Sequence, residues 1–126
     1  MLMVEHTGRK SGARRYVVLE VVCHPTPDVY IIASGFGIRA QWFRNLMANP
    51  RVRVSIAGDG PCEAMARRLP TAEADAALSD YVRRHPRAWA KFRTVLENTL
   101  GSAISEHDTE LPMVELRLDR TSSSKR

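Results

Sequence analysis

Up to residue 69 the chain reads as a succession of strands separated by tight turns, with room for a single helix among them. That order constrains the fold more than any other feature. A doubly wound parallel sheet needs a helix between most of its strands, so it is excluded in favour of antiparallel pairing. The clearest strand is Arg51 to Ala57, where Val52, Val54 and Ile56 share one face and Arg51, Arg53 and Ser55 the other. Gly58-Asp59-Gly60 turns it into a second strand around Cys62 to Leu69. Tyr16 to Cys23 is β-branched and apolar and ends at Pro25-Thr26-Pro27-Asp28; Val29 to Ser34 is its hairpin partner. Leu2-Met3-Val4 is apolar but too short to show a period.

The one early helix lies over Arg39 to Ala48, where Trp42, Phe43, Leu46 and Met47 recur at helical spacing before Asn49-Pro50 stops it. At Pro70 the character changes. Thr71 reads as an N-cap with Glu73 and Asp75 in the first turn, and Leu78, Tyr81, Val82 and His85 fall on one helical face. Pro86 suits the first position of a second helix with a stripe of Trp89, Phe92, Val95 and Leu96, closing near Gly101. Ser102 to Glu110 reads as loop, Leu111 to Leu118 as a returning strand, and 121–126 as a disordered polar tail. These elements predict a mainly β chain with helices: a small antiparallel barrel carrying a helical hairpin on its outside.

A chain of 126 residues supports one domain, expected over residues 1–120. Its longest apolar runs fall far short of the roughly 18 to 20 residues that a spanning helix needs. The first residues carry neither a basic stretch nor a long apolar run, so no signal peptide is expected and the expected compartment is the cytoplasm. Cys23 and Cys62 are too few and too far apart for a zinc motif or a disulfide framework. His6, His24, His85 and His107 show no metal-ligand spacing, so no metal is expected.

The net charge of +5 admits a nucleic acid, a membrane surface or a small anion as partner until it is located. All of the excess lies before residue 69. Its densest part is Thr7-Gly8-Arg9-Lys10-Ser11-Gly12-Ala13-Arg14-Arg15, where four of seven residues from Arg9 on are basic and two glycines let the backbone turn sharply. Such a loop suits a phosphate or carboxylate; it also reads as a solvated hairpin turn. Its spacing is not that of a P-loop. The only aromatic residue adjoining it is Tyr16, which argues against single-stranded nucleic acid, where stacking aromatics are interleaved with cations. A second segment, Ala33-Ser34-Gly35-Phe36-Gly37 followed by Gln41-Trp42-Phe43-Arg44-Asn45, offers small residues that let a flat ring approach the backbone. Ser34 could contribute a hydroxyl and an N–H there, and Trp42 could form a wall or serve only as a core anchor.

Thr-Gly-Arg-Lys-Ser-Gly, a strand, Ala-Ser-Gly, then Trp-Phe-Arg-Asn-Leu-Met-Ala-Asn-Pro and an alternating valine strand together resemble the deazaflavin-dependent nitroreductase/quinone reductase family. The resemblance runs from about residue 5 to residue 118. It implies a split β-barrel and coenzyme F-420 as cofactor, with hydride transfer to a quinone, nitro compound or other electron-poor acceptor. By the same resemblance, Arg9, Lys10, Ser11 and Arg15 would hold the cofactor's phosphate and polyglutamate tail, and Tyr16, Val17, Val18 and Leu19 would line its groove. Ile32, Ala33, Ser34 and Gly35 would lie along the deazaflavin, with Gln41, Trp42 and Asn45 closing its other side. Gly35 stands where many relatives have Lys, and no tyrosine matches those that some quinone reductases of the family carry in the helical region; Tyr81, His85 and Trp89 occupy that neighbourhood. No proton donor is therefore assigned. Two alternatives stay open: a flavin mononucleotide (FMN)-dependent oxidoreductase on the same barrel, and a non-catalytic cofactor-binding protein. The expected partners are a small-molecule acceptor and no nucleic acid, with peripheral membrane contact and a homodimer both left open.

Overall fold

The computed structural model describes residues 1–119 except 36, 58 and 101–110. The expected loop over Ser102–Glu110 and the tail over 121–126 lie outside the described residues. Seven strands are formed: β1 (Leu2–Thr7), β2 (Arg14–Leu19), β3 (Val21–Thr26), β4 (Val29–Ala33), β5 (Arg51–Ile56), β6 (Asp59–Arg68) and β7 (Met113–Leu118). Three helices accompany them: α1 (Gln41–Ala48), α2 (Thr71–Arg84) and α3 (Pro86–Leu100). All pairings are antiparallel, in the order β2-β1-β5-β6-β7-β4-β3.

That order brings the two edges of the sheet towards each other. Seven strands laid flat would put the two edges about 29 Å apart at the usual strand spacing, yet the edge strands β2 and β3 are joined through Glu20 alone. The sheet must therefore curl, and the result is the antiparallel half-barrel of a split-barrel fold. The run read as one strand from Tyr16 to Cys23 is in fact two, with its corner at Glu20. An apolar β-branched run carries no mark of where a strand leaves one edge for the other.

Alternation divides the interior into two cores. Leu2, Val4, Val52, Val54, Ala64, Ala66, Val114, Leu116 and Leu118 point into the barrel, where Phe43 and Leu46 of α1 plug it. Val29 and Ile31, facing the opposite way, join Leu69, Ala74, Ala77, Leu78 and Trp89 beneath the helical hairpin. Fully burying one such aliphatic side chain contributes roughly 1.5 to 3 kcal/mol.

Several expected boundaries shift. A short 3-10 turn, Gly37–Arg39, precedes α1, so the helix starts at Gln41 rather than Arg39. Thr71 is the first residue of α2, and Pro70, which has no capping side chain, stands at the N-cap. Within the stripe expected on α3, Trp89 is buried beneath α2 while Phe92 and Val95 are exposed; the side chain of Leu96 lies outside those described.

Candidate functional site

The basic loop joins β1 to β2 as a closed turn: Gly8 N–H donates to the Ala13 carbonyl at 2.8 Å and Gly12 N–H to the Gly8 carbonyl at 2.8 Å. Gly12 has φ 74°, the left-handed conformation that costs glycine little. Gly8 contributes in a different way. A Cβ there would stand 2.8 Å from Ser11 Oγ and 3.1 Å from Arg15 Nε, inside the cradle that these side chains form. Beside the loop, α1 brings Asn45, whose Oδ1 accepts from Arg9 twice, from the guanidinium at 2.8 Å and from the backbone N–H at 3.1 Å.

The outcome is a pocket of about 230 Å³ lined by Gly8, Arg9, Lys10, Ser11, Arg15, Gln41 and Asn45. Three cations line it and no carboxylate does, a donor set fitted to phosphate or carboxylate oxygens. The loop and the first turn of α1 thus meet, although more than 25 residues of sequence separate them.

A second cavity, of about 350 Å³, follows along the same two elements. Val17, Val18 and Leu19 of β2 form one side, Ala33 and Gly35 the end of β4, and Trp42 of α1 another wall. Arg15 and Val17 are two residues apart on one strand, on the order of 7 Å, so the cationic pocket and the apolar cleft lie end to end along β2 and α1. This combination suits a cofactor with a flat ring at one end and an anionic tail at the other.

Of the residues singled out in the sequence, six line the cationic pocket and six the cleft. Tyr16, Ile32 and Ser34 line neither. Tyr16 is exposed on the outer edge strand. Ile32 is wholly buried in the barrel core, because its position in β4 points it inward. Ser34 is also wholly buried, and its polar groups are engaged: Oγ donates to the Gly37 carbonyl at 2.6 Å and N–H to the Pro112 carbonyl at 2.9 Å. Neither group is available to a ring. Gln41 and Asn45 also differ from expectation, standing with the cations while Trp42 alone of that trio faces the cleft. On a helix, positions 41 and 45 share a face that 42 does not.

Tyr81, His85 and Trp89 of the helical hairpin are placed in this neighbourhood by the sequence, but the wall is not assigned there residue by residue. The far wall of the cleft is Leu78, Tyr81, Trp89 and Phe92 of the helical hairpin, with Leu111 and Met113. Tyr81 meets Trp89 edge to face at 6.4 Å between ring centres. Burial raises the Tyr81 phenol above its usual pKa, and the charge of Glu20 raises it further, so the hydroxyl stays protonated at neutral pH. The aromatic spacing at 81, 85 and 89 was the available signal, but His85 is exposed and does not line the cleft.

Among the described residues no group of three or more His, Cys, Asp or Glu side chains could hold a metal. Nor is any helix among them long and apolar enough to cross a membrane.

The family model for F420H(2)-dependent quinone reductase matches residues 1–106. Among solved structures, an F420-H2 dependent reductase is 26% identical with a TM-score of 0.62, the match covering 92% of each chain. A chain described as a domain-swapped dimer is also 26% identical at a TM-score of 0.62, with 92% of this chain and 78% of that one covered. A protein of unknown function from Agrobacterium tumefaciens shares the fold at 16% identity and a TM-score of 0.63, over 93% of this chain and 47% of that one. A search of curated proteins finds no match. With a family model covering most of the chain, and a groove whose chemistry suits a ring bearing an anionic tail, the chain belongs to the F420H(2)-dependent quinone reductase family.

Proposed function

We propose that this chain binds reduced F420 along the groove and reduces a quinone, nitro compound or other electron-poor acceptor in the apolar cleft. The observation that carries the reading is the placement of a carboxylate-free cationic pocket beside a largely apolar, aromatic-walled cleft on β2 and α1. When bound, the cofactor supplies the hydride; FMN is the alternative that the binding test below excludes or establishes.

The chain's own residues have separable tasks. Arg9, Lys10, Ser11 and Arg15 hold the anionic tail, with the two arginines offering fork-shaped donor sets. Val17, Val18 and Leu19 with Ala33, Gly35 and Trp42 seat the ring and keep water from it, which orients donor and acceptor and limits loss of the hydride to solvent. Tyr81 holds a proton at its hydroxyl on the far wall, where an acceptor oxygen gaining charge would receive a hydrogen bond.

The proposal is a single domain over residues 1–120. A homodimer belongs to the same reading, supported by the likeness to a domain-swapped dimer and by the outer edge of β2, where Tyr16 and Val18 are exposed. Two free thiols, Cys23 and Cys62, support a reducing cytoplasmic setting.

The test is a binding titration of the purified protein with F420 and separately with FMN, followed by oxidation of reduced F420 in the presence of a quinone. Tighter binding of F420 and acceptor-dependent oxidation are expected, with affinity falling in Lys10→Ala and Arg15→Ala. Tighter binding of FMN would overturn the cofactor assignment, and unchanged affinity in both variants would remove the loop from the site.

A further inference from the structure

The cationic pocket rests on a buried polar chain that the tail-binding residues do not explain. His6, on β1 directly beneath α1, is only 4% exposed, and Asn45 only 2%. Asn45 Nδ2 lies 3.2 Å from His6 Nδ1, while Asn45 Oδ1 accepts both bonds from Arg9. The directions of these bonds are coupled. Because Arg9 can only donate, the oxygen of the Asn45 amide must face Arg9 and its NH₂ group must face His6. His6 Nδ1 must then be an acceptor, which requires a neutral imidazole with its proton on Nε2.

We propose that His6 is a positioning residue for the cationic pocket: while neutral it locks the Asn45 amide in the orientation that holds Arg9, and on protonation it releases Arg9. An imidazolium would place an N–H on Nδ1 against the Asn45 NH₂, two donors face to face. Rotation of the amide relieves that conflict by turning Oδ1 towards His6, but it then presents NH₂ to the Arg9 guanidinium and backbone N–H. One proton on a residue outside the pocket thus decides whether Arg9 is held. The inference rests on the reading that the pocket binds the F420 tail.

The surroundings favour the neutral form at physiological pH. Burial, and secondarily the charge of Arg15, lower the His6 pKa from 6.5. Arg15 is the β2 residue in register with His6. Three other cations on neighbouring elements have partners of their own: Arg44 of α1 donates to the Ile38 carbonyl, Arg53 of β5 pairs with Glu5 and Glu63, and Arg68 of β6 lies over the Phe43 ring. Arg9 reaches His6 only through Asn45. No carboxylate among the described residues forms an ion pair with His6 that would stabilise its charged form.

The test combines affinity with a spectroscopic readout that needs no cofactor. F420 affinity is measured from pH 7 down through the His6 titration, located from the imidazole signal itself, with wild type and His6→Gln compared at each pH so that titration of the cofactor's own groups cancels. Wild type is expected to weaken by about tenfold, the factor that follows from losing one hydrogen bond to a charged group. His6→Gln, which keeps an acceptor and cannot titrate, is expected to bind with little dependence on pH. Asn45→Ala is expected to bind about tenfold more weakly throughout and to lose the slope. In cofactor-free protein, the Asn45 side-chain amide signal is expected to shift in step with the His6 imidazole. In Asn45→Asp, whose carboxylate can accept from both neighbours, the His6 pKa is expected to rise.

Parallel pH profiles for wild type and His6→Gln would overturn the proposal, as would an Asn45 amide signal that ignores the His6 titration. Should His6→Gln fail to fold, the amide signal of wild type and the Asn45→Ala profile decide. Absence of F420 binding at every pH would instead sink the cofactor reading, and the amide signal would still decide whether His6 controls Asn45 and Arg9.

Discussion

Ser34 and Tyr81 show how burial separates polar side chains that hold the fold from those that can act. Ser34 sits in an Ala-Ser-Gly segment that resembles a ring-binding motif, yet its hydroxyl is wholly buried and donates to the Gly37 carbonyl at 2.6 Å. Its task is to shape the turn that leads from β4 towards α1. Ser34→Ala is therefore expected to lower stability by about 1 to 3 kcal/mol, the penalty for a buried carbonyl left without its donor, and chemical denaturation measures it. A normal denaturation midpoint with lost cofactor affinity would instead return Ser34 to the site. Tyr81 is the converse case. It lines the cleft with its hydroxyl kept protonated, so Tyr81→Phe is expected to reduce kcat about tenfold or more while leaving F420 affinity nearly unchanged. Equal kcat for the two proteins would show that the phenol neither donates a proton nor hydrogen-bonds the acceptor.

At the scale of elements, α1 determines how the groove divides. One helical face carries Phe43 and Leu46 into the barrel, a second carries Gln41 and Asn45 to the cationic loop, and Trp42 is left for the cleft. Leu46 is wholly buried, and Leu46→Ala is expected to cost about 2 to 5 kcal/mol. Because α1 forms part of both pockets, the loosened helix should also weaken F420 binding under conditions where the protein is still folded. Intact affinity at a lowered melting temperature would mean that β1, β2 and their loop hold the pocket without α1. The helix itself was legible, since its apolar spacing and the Asn49-Pro50 stop are local signals. So were the valine alternation of β5, the hairpin of β3 with β4, and the paired helices from Thr71 and Pro86. What could not be read is set by contacts distant in sequence: the corner at Glu20, the assignment of Asn45 to Arg9 across 36 positions, and which side chains of α2 and α3 reach the cleft. Periodicity reports which side of an element is apolar but not which partner covers it. His6 is the sharpest instance, the buried polar residue of β1, whose role depends on a helix almost forty positions away.

For the molecule as a whole, the question is whether two cores make two folding units. They share strands. In β4, Ile31 faces the helical core and Ile32 the barrel core, and in β7 Met113 and Val114 divide in the same way. Neither core can be opened without disturbing a strand that the other requires, so thermal unfolding is expected to be one cooperative transition. Ile31→Ala and Ile32→Ala should both lower its midpoint without splitting it, each costing about 2 to 5 kcal/mol. A biphasic melt in either variant would show that the helical hairpin is a separate unit. The same cooperativity lets one buried imidazole act on the stability of the entire chain. With its pKa depressed on folding, His6 stays neutral in the native state at a pH where the unfolded chain has already taken up the proton. The unfolded state then binds more protons, so stability falls as pH drops below the ordinary value of 6.5 and goes on falling until the folded-state pKa is passed. Glu73 and Asp80, whose pKa values are lowered by Arg67 and Arg84, contribute with the same sign but only below the ordinary carboxylate range. The interval from pH 6.5 to pH 5 lies above that range, and comparison with His6→Gln separates His6 from the other histidines. In that interval the wild-type midpoint should decline with falling pH while that of His6→Gln stays level; equal declines would assign the loss to some other group.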